Sequence, residues 1–271
     1  MKKLGILFVA IFVGVLAANA AFAGNLVING STTVLPISQS AAEAFMAENK
    51  DVKISVSGGG SGNGIKAIID GTCDIANSSR FMKDAEVKSA VDKGVFPVPF
   101  AVAIDAIVPI VHPSNPVANL TTQQLQDIYT GKATSWKQVG GEDKPIVVVG
   151  RDTSSGSYEV WEEKILKKEK VTPKAQVVAS SGALLQTVSK NKYAIGYDGI
   201  GYADDKSVKM LTVNGVKADA KTARSGKYAV SRYLFVFTKG WPKGDVLDFV
   251  NFMQGDEGQK IVVKQGFVPL R

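Results

Sequence analysis

The sequence has 271 residues, with 32 lysines and arginines against 25 aspartates and glutamates, a net charge of +7, and 27 glycines. That length suits one large domain or two smaller ones and is ample for a buried core. Its one cysteine, Cys73, excludes an intramolecular disulfide, and the lone His112 leaves no spacing for a zinc or iron site, so no metal or other cofactor is expected.

Residues 1–23 read as an export signal. Lys2 and Lys3 give a short positive region, Leu4 to Ala18 is almost wholly apolar, and Ala21-Phe22-Ala23 is a cleavage pattern. The run is short for a membrane span, and no cysteine follows the cleavage site, so no lipid anchor is expected there. From Gly24 onward the charge falls to +5, because Lys2 and Lys3 are lost and no acid is. Export argues against a nucleic-acid partner, and a mild positive balance fits a small anionic ligand. The densest basic run, Lys164 to Lys170, reads as a solvated helix face, with Glu163 four residues before Lys167.

Leu26 to Asn29 reads as a first strand, and Gly30-Ser31-Thr32-Thr33-Val34 joins it to a helix bearing Ile37, Ala41, Ala44 and Phe45. Those hydroxyls suit an N-cap, yet three in a row exceed what one cap needs. Val52 to Val56 alternates as a strand does, and Ile65 to Ile69 has helical apolar spacing. Between them lies Ser57-Gly58-Gly59-Gly60-Ser61-Gly62-Asn63-Gly64. Alone it is either a mobile turn or an anion site, where glycines let the backbone approach and a helix N-terminus offers N–H groups. Cys73 to Ala76 reads as a short buried strand with a polar end, Asn77-Ser78-Ser79-Arg80. Val95 to Val111 is strongly apolar with Asp105 its only charge, and Pro97, Pro99 and Pro109 suggest breaks or sheet edges.

Leu120 to Tyr129 is a short helix with a capping box at Thr121 and Gln124 and a stop at Gly131. Pro145 to Gly150 is a strand followed by Arg151-Asp152-Thr153-Ser154-Ser155-Gly156-Ser157 and a helix carrying Tyr158, Trp161 and Ile165. Ala175 to Ala179 and Tyr193 to Tyr197 read as strands, with Ser180-Ser181-Gly182 opening a helix between them. Residues 203–228 carry few signals; Val230 to Thr238 is a strand, and two helices follow.

One kind of loop thus recurs, each copy after a strand and before a helix. Such loops gather outside the carboxyl ends of strands in α/β sheets, where ligands bind. They offer hydroxyls, backbone N–H groups and the planar fork of Arg151, all donors, which implies a small anion rich in acceptor oxygens. Catalysis has little support. Ser61 lies outside a G-x-S-x-G elbow because position 63 is asparagine, and the glycine loop lacks the Gly-Lys-Ser/Thr ending of a P-loop.

With those residues in view, the chain resembles the phosphate-binding proteins of bacterial ABC phosphate importers, in the shorter form of the type II periplasmic binding-protein family. The resemblance rests on Gly30 to Val34, Gly59 to Gly64, Cys73 to Arg80, Asn115 to Thr121, Arg151 to Ser157 and Ala194 to Tyr197, in order along nearly the whole mature chain. It implies two α/β lobes, each a mixed sheet flanked by helices, with the ligand cleft between them. Residues 24–104 and 226–271 would form one lobe and 105–225 the other. It implies phosphate held by Ser31, Thr32 and Thr33, by Ser61, by Ser79 and Arg80, by Arg151, and by Ser155, Gly156 and Ser157. Longer relatives carry an aspartate at the position of Ser79 to accept the ligand proton. Here Ser79, Asp105 or Asp152 would have to serve, or the ligand is another tetrahedral oxyanion. The resemblance further implies a monomeric periplasmic protein that catalyses nothing and hands phosphate to the membrane permease of an ABC transporter. Two readings stand against it: a secreted phosphate-ester hydrolase using Ser61 or Ser155, and a sensor or adhesion module on the same fold.

Overall fold

The computed structural model describes residues 24–203 and 206–271, so the expected export segment, residues 1–23, lies outside the described residues. Three strand–helix units come first: β1 (Asn25–Gly30) with α1 (Leu35–Glu48), β2 (Lys53–Gly58) with α2 (Ser61–Ile69), and β3 (Ile75–Ser78) with α3 (Asp84–Asp92). The long β4 (Val98–Val111) follows. Then come β5 (Asn119–Leu120), α4 (Thr122–Thr130), a 3-10 turn at Trp136–Val139, β6 (Val147–Arg151) and α5 (Gly156–Lys164). Next are β7 (Gln176–Val178), α6 (Ser181–Ser189), β8 (Ala194–Gly199), a 3-10 turn at Ile200–Tyr202, β9 (Lys209–Met210) and β10 (Thr212–Val213). The described chain closes with α7 (Ala220–Arg224), β11 (Ser231–Thr238), α8 (Gly244–Gln254) and α9 (Asp256–Lys264).

The strands run in the order β2-β1-β3-β11-β4-β8-β6-β7, with β9 on β4 and a separate β10-β5 pair. β4 is shared between two neighbourhoods. Its first part, Val98 to Ala106, pairs antiparallel with β11, and its last part, Ile107 to Val111, pairs antiparallel with β8. The core divides with it. Val102 and Ala103 pack with Ile28, Ile37, Phe45, Leu234 and Phe249, whereas Ile107, Val108 and Ile110 pack with Leu125, Tyr129, Trp161, Leu184 and Tyr197. Each large apolar side chain fully buried this way contributes about 1.5–3 kcal/mol.

Three expectations need correction. Pro99 and Pro109 lie inside a continuous central strand, neither breaking it nor marking an edge. At Pro109 the geometry explains the tolerance. Ile107 N–H donates to Val230 and the Pro109 carbonyl accepts from Leu211, both on the flank away from β8. The missing N–H therefore falls beside the two-residue β9, where little ladder exists to lose. The strand expected at Cys73 to Ala76 sits two residues later, with Asn77 and Ser78 inside it and buried. Finally, α5 stops at Lys164, so the basic run lies on a turn rather than a helix face. Ile165 and Leu166 are buried there, and Lys167 and Lys168 take positive φ to turn the chain around them.

Candidate functional site

The carboxyl ends of β1, β2 and β3 face those of β6 and β7, and the loops leaving them meet. In the first loop, Ser31 is held in its own turn: its Oγ accepts from the N–H of Thr33 at 3.2 Å and of Val34 at 3.3 Å. It closes a local turn and does not cap α1, whose N-cap is Val34. The next two side chains reach across the cleft. Thr33 Oγ1 lies 3.1 Å from Ser157 Oγ, and Thr32 Oγ1 lies 3.4 Å from Ser181 Oγ and accepts the Ser181 N–H at 3.3 Å. Tyr202 fixes the loop from below, donating its hydroxyl to the Thr32 carbonyl at 2.6 Å.

Ser61 opens α2 and is fully buried. Its Oγ accepts the Ser79 N–H at 3.0 Å and lies 3.2 Å from Ser79 Oγ. The opposing loop sits directly on this one: Gly62 N–H donates to the Ser154 carbonyl at 2.9 Å. Two glycines make that approach possible. Gly60 has φ +100°, and a Cβ there would come within 2.4 Å of Ser154 Oγ. A Cβ on Gly156 would lie 2.5 Å from Ser61 Oγ and 2.7 Å from Ser79 Oγ. The starts of α2 and α5 are therefore in contact through a position that accepts no side chain. α1, α2, α5 and α6 thus bring their first turns, and the partial positive charge of those helix starts, toward one place.

Arg151 ends β6 and is 3% exposed. It donates from Nε to the Val178 carbonyl at 3.3 Å, from Nη1 to Ser181 Oγ at 3.2 Å and from Nη2 to the Ala179 carbonyl at 3.1 Å. A guanidinium has five N–H donors, so one remains on each terminal nitrogen. Beneath it, Tyr197 accepts the Arg151 N–H at 3.4 Å and stacks on Trp161 with centroids 4.4 Å apart. Burial holds the Tyr197 phenol well above its ordinary pKa, so it stays neutral.

The chain belongs to the PstS family of the PBP superfamily. A profile of the PBP superfamily domain matches residues 17–257. The phosphate-binding protein PstS of Bacillus subtilis strain 168 is 34% identical over 249 residues, covering 91% of this chain and 81% of the relative. PstS of Borreliella burgdorferi is 34% identical over 255 residues, covering 90% and 89%. Among solved structures, a substrate-binding protein assigned to phosphate ABC transport from Clostridium perfringens, with bound phosphate, aligns at a TM-score of 0.86. It is 36% identical and the match covers 92% of this chain and 100% of that one. The fold is accordingly that of the type II periplasmic binding proteins.

Within this PstS-family site, the expected residues divide by what they touch. Thr32, Thr33, Ser61, Ser79, Arg151, Gly156 and Ser157 come together. Ser31 is close but locked in its own turn. Ser155 caps α5, its Oγ accepting from Tyr158 N–H at 3.3 Å. Arg80 is beside the cleft, but its guanidinium is engaged elsewhere: two 2.7 Å bonds to Glu86, one of 2.8 Å to the Phe81 carbonyl, and Nε 2.6 Å from Glu159. Burial alone would raise the Glu86 pKa; the bonds from Arg80 and Lys83 N–H more than offset it and hold it low. Lys83 also reaches Glu159, at 2.9 Å, so Glu159 on α5 ties the β3 loop across the cleft.

Of the carboxylates considered as proton acceptors, Asp105 is fully buried and bound by Arg232 at 2.9 and 2.7 Å and by the Ile200 N–H at 3.0 Å. Asp152 accepts from Ser154 N–H at 2.8 Å and Ser154 Oγ at 2.5 Å within its own loop. Sequence reasoning missed Ser181, Asp198, Arg232 and Glu159. Ser181 carried a usable signal, since Ser180-Ser181-Gly182 repeats the strand–hydroxyl–glycine–helix pattern. Arg232 donates to Ser157 Oγ at 2.8 Å as well as to Asp105, a pairing with no trace in local sequence. The single histidine bonds Ser114 in a turn, so neither Ser61 nor Ser155 has an imidazole beside it.

Proposed function

We propose that this chain captures inorganic phosphate between two lobes and delivers it to the permease of an ABC importer, without catalysing a reaction. The observation that carries this is the convergence of Arg151, Thr32, Thr33, Ser61, Ser157 and Ser181 with the first turns of four helices. That set supplies donors to every side of a small tetrahedral anion and one fixed positive charge. Ser79 and the backbone at Gly156 complete it, with Ser31 and Ser155 shaping their loops and Arg80 bracing the rim. Residues 24–104 with 226–271 make one lobe and 105–225 the other; the division of the β4 pairing and of the core supports that partition. Phosphate bridging the lobes would stabilise the closed form, and that form is the signal to the transporter. Removal of residues 1–23 on export would place the protein, as a monomer, in the periplasm. The names of the relatives support phosphate over other tetrahedral oxyanions.

The test is equilibrium dialysis of radiolabelled phosphate. Unlabelled phosphate should displace the label and a phosphate monoester should not, because donors surround every oxygen. Displacement by the monoester at equal concentration, or no retained label, would overturn the reading.

A further inference from the structure

Ser157 lies in the first turn of α5 with no solvent exposure, and its hydroxyl meets two groups among the described residues. Arg232 Nη2 donates to its Oγ at 2.8 Å, and Thr33 Oγ1 lies 3.1 Å away on the facing loop. A guanidinium has no acceptor, so in the first contact the serine oxygen can only accept. That leaves its single hydrogen to Thr33 or to an anion held between the two loops. Ser181 shows the contrast. Its Oγ also accepts from an arginine, Arg151 at 3.2 Å, but its hydrogen goes to Asp198 Oδ1 at 2.8 Å. Among the described residues no carboxylate takes the hydrogen of Ser157.

Arg232 is itself firmly held. Nε and Nη2 donate to Asp105 Oδ2 at 2.9 and 2.7 Å, and Nη1 donates to the Ser79 carbonyl at 3.0 Å. Asp105 is anchored in turn, its Oδ1 accepting the Ile200 N–H at 3.0 Å. Both hydrogens of Nη2 are committed, one to Asp105 and one to Ser157, so the planar guanidinium cannot turn without breaking a bond. Its side chain is 6% exposed, which keeps water from competing for the serine. Without this contact the hydroxyl is free to rotate and set a lone pair against a lone pair of the anion. Resting on the phosphate reading above, we propose that Arg232 is a positioning residue for phosphate. It does not touch the anion; it holds Ser157 Oγ as an acceptor so that the serine hydrogen is presented to phosphate, and its charge makes that hydroxyl a stronger donor.

The test is a double-mutant cycle of Arg232→Lys and Ser157→Ala, read by phosphate calorimetry with a thermal melt of each protein. Lysine keeps a cation for Asp105 but has no planar fork to reach Ser157 and the Ser79 carbonyl at the same time. Arg232→Lys alone should weaken phosphate binding by about five- to thirtyfold. In the Ser157→Ala background the same replacement should cost less than about twofold, because the hydroxyl it directs is gone. Losses that multiply in the double variant would overturn the assignment, as would an Arg232→Lys affinity within about twofold of the wild type, whatever its melt. A second measurement keeps Arg232 in place: nitrogen-15 spectra of the arginine side chains. Saturating phosphate should shift the Arg232 Nη2 signal in the wild type and leave it in place in Ser157→Ala. Equal shifts in both proteins, or none in either, would overturn the assignment. No phosphate binding by the wild type would instead overturn the functional reading itself.

Discussion

Replacing Arg151 separates a ligand-binding role from a structural one. Its guanidinium makes three bonds, to the Val178 and Ala179 carbonyls and to Ser181. Val178 is half-buried and Ala179 is exposed, so water can serve both carbonyls once the arginine is gone. Arg151→Ala should therefore cost the fold only about 1–2 kcal/mol, the net worth of a few replaceable bonds. Binding is different. Two N–H groups meet a desolvated anion, and each charged bond is worth about 1.5–3 kcal/mol, or about 3–6 kcal/mol together. That is a loss of about 10²- to 10⁴-fold in affinity. Arg151→Lys keeps the charge without the fork and should fall between the two. Phosphate calorimetry on all three proteins, with thermal melts in phosphate-free buffer, reads both terms. A folded Arg151→Ala protein binding within about threefold of the wild type would remove Arg151 from the site.

Three further outcomes follow from the charges around the cleft. Glu159→Gln weakens the tie to Arg80 and Lys83 that spans the cleft, so phosphate dissociation in stopped flow should quicken by about five- to thirtyfold; an unchanged dissociation rate would show that this tie does not hold the closed form. Asp105→Asn leaves Arg232 buried at 6% exposure without its charge partner, at a cost of about 3–5 kcal/mol and about 10 °C in melting temperature; a melt within about 2 °C of the wild type would refute it. Asp198 gives a pH signature in phosphate-free protein. Its folded pKa of about 6 lies above the ordinary 3.8, so the folded state holds the proton more tightly, and the wild type loses stability as pH rises through that interval. The stability of Asp198→Asn relative to wild type, read from urea midpoints, should grow by about 3 kcal/mol across it; a difference that is flat with pH would contradict the burial assigned to this carboxyl.

Local chemistry was legible in the sequence wherever a backbone pattern enforced it. The capping box at Thr121 and Gln124 and the left-handed stop at Gly131 are both formed. The three strand–loop–helix junctions at Thr32, Ser61 and Arg151 were readable because glycine and hydroxyl residues have few reasons to cluster there. What eluded the sequence were pairings between distant segments. Arg80 looked like a ligand because it ends a site loop, but Glu86 six residues on accepts two of its hydrogen bonds and Glu159 on another element pairs with its charge. Asp105 looked like a lone acid in an apolar run, and its partner Arg232 lies 127 residues away. Asp198 ends an apolar strand much as Asp105 interrupts one; only the fold separates the acid that has a guanidinium from the one that lacks it. The prolines of β4 misled for a related reason. The cost of a missing N–H depends on which neighbour that flank faces, and only the topology supplies that.

The central claim is capture of phosphate by a donor-lined cleft, and its most direct measurement is calorimetry of the mature chain with phosphate and sulfate side by side. The account predicts phosphate binding at micromolar or tighter affinity, about −8 kcal/mol or beyond, and sulfate far weaker. Heat from sulfate and none from phosphate would contradict it.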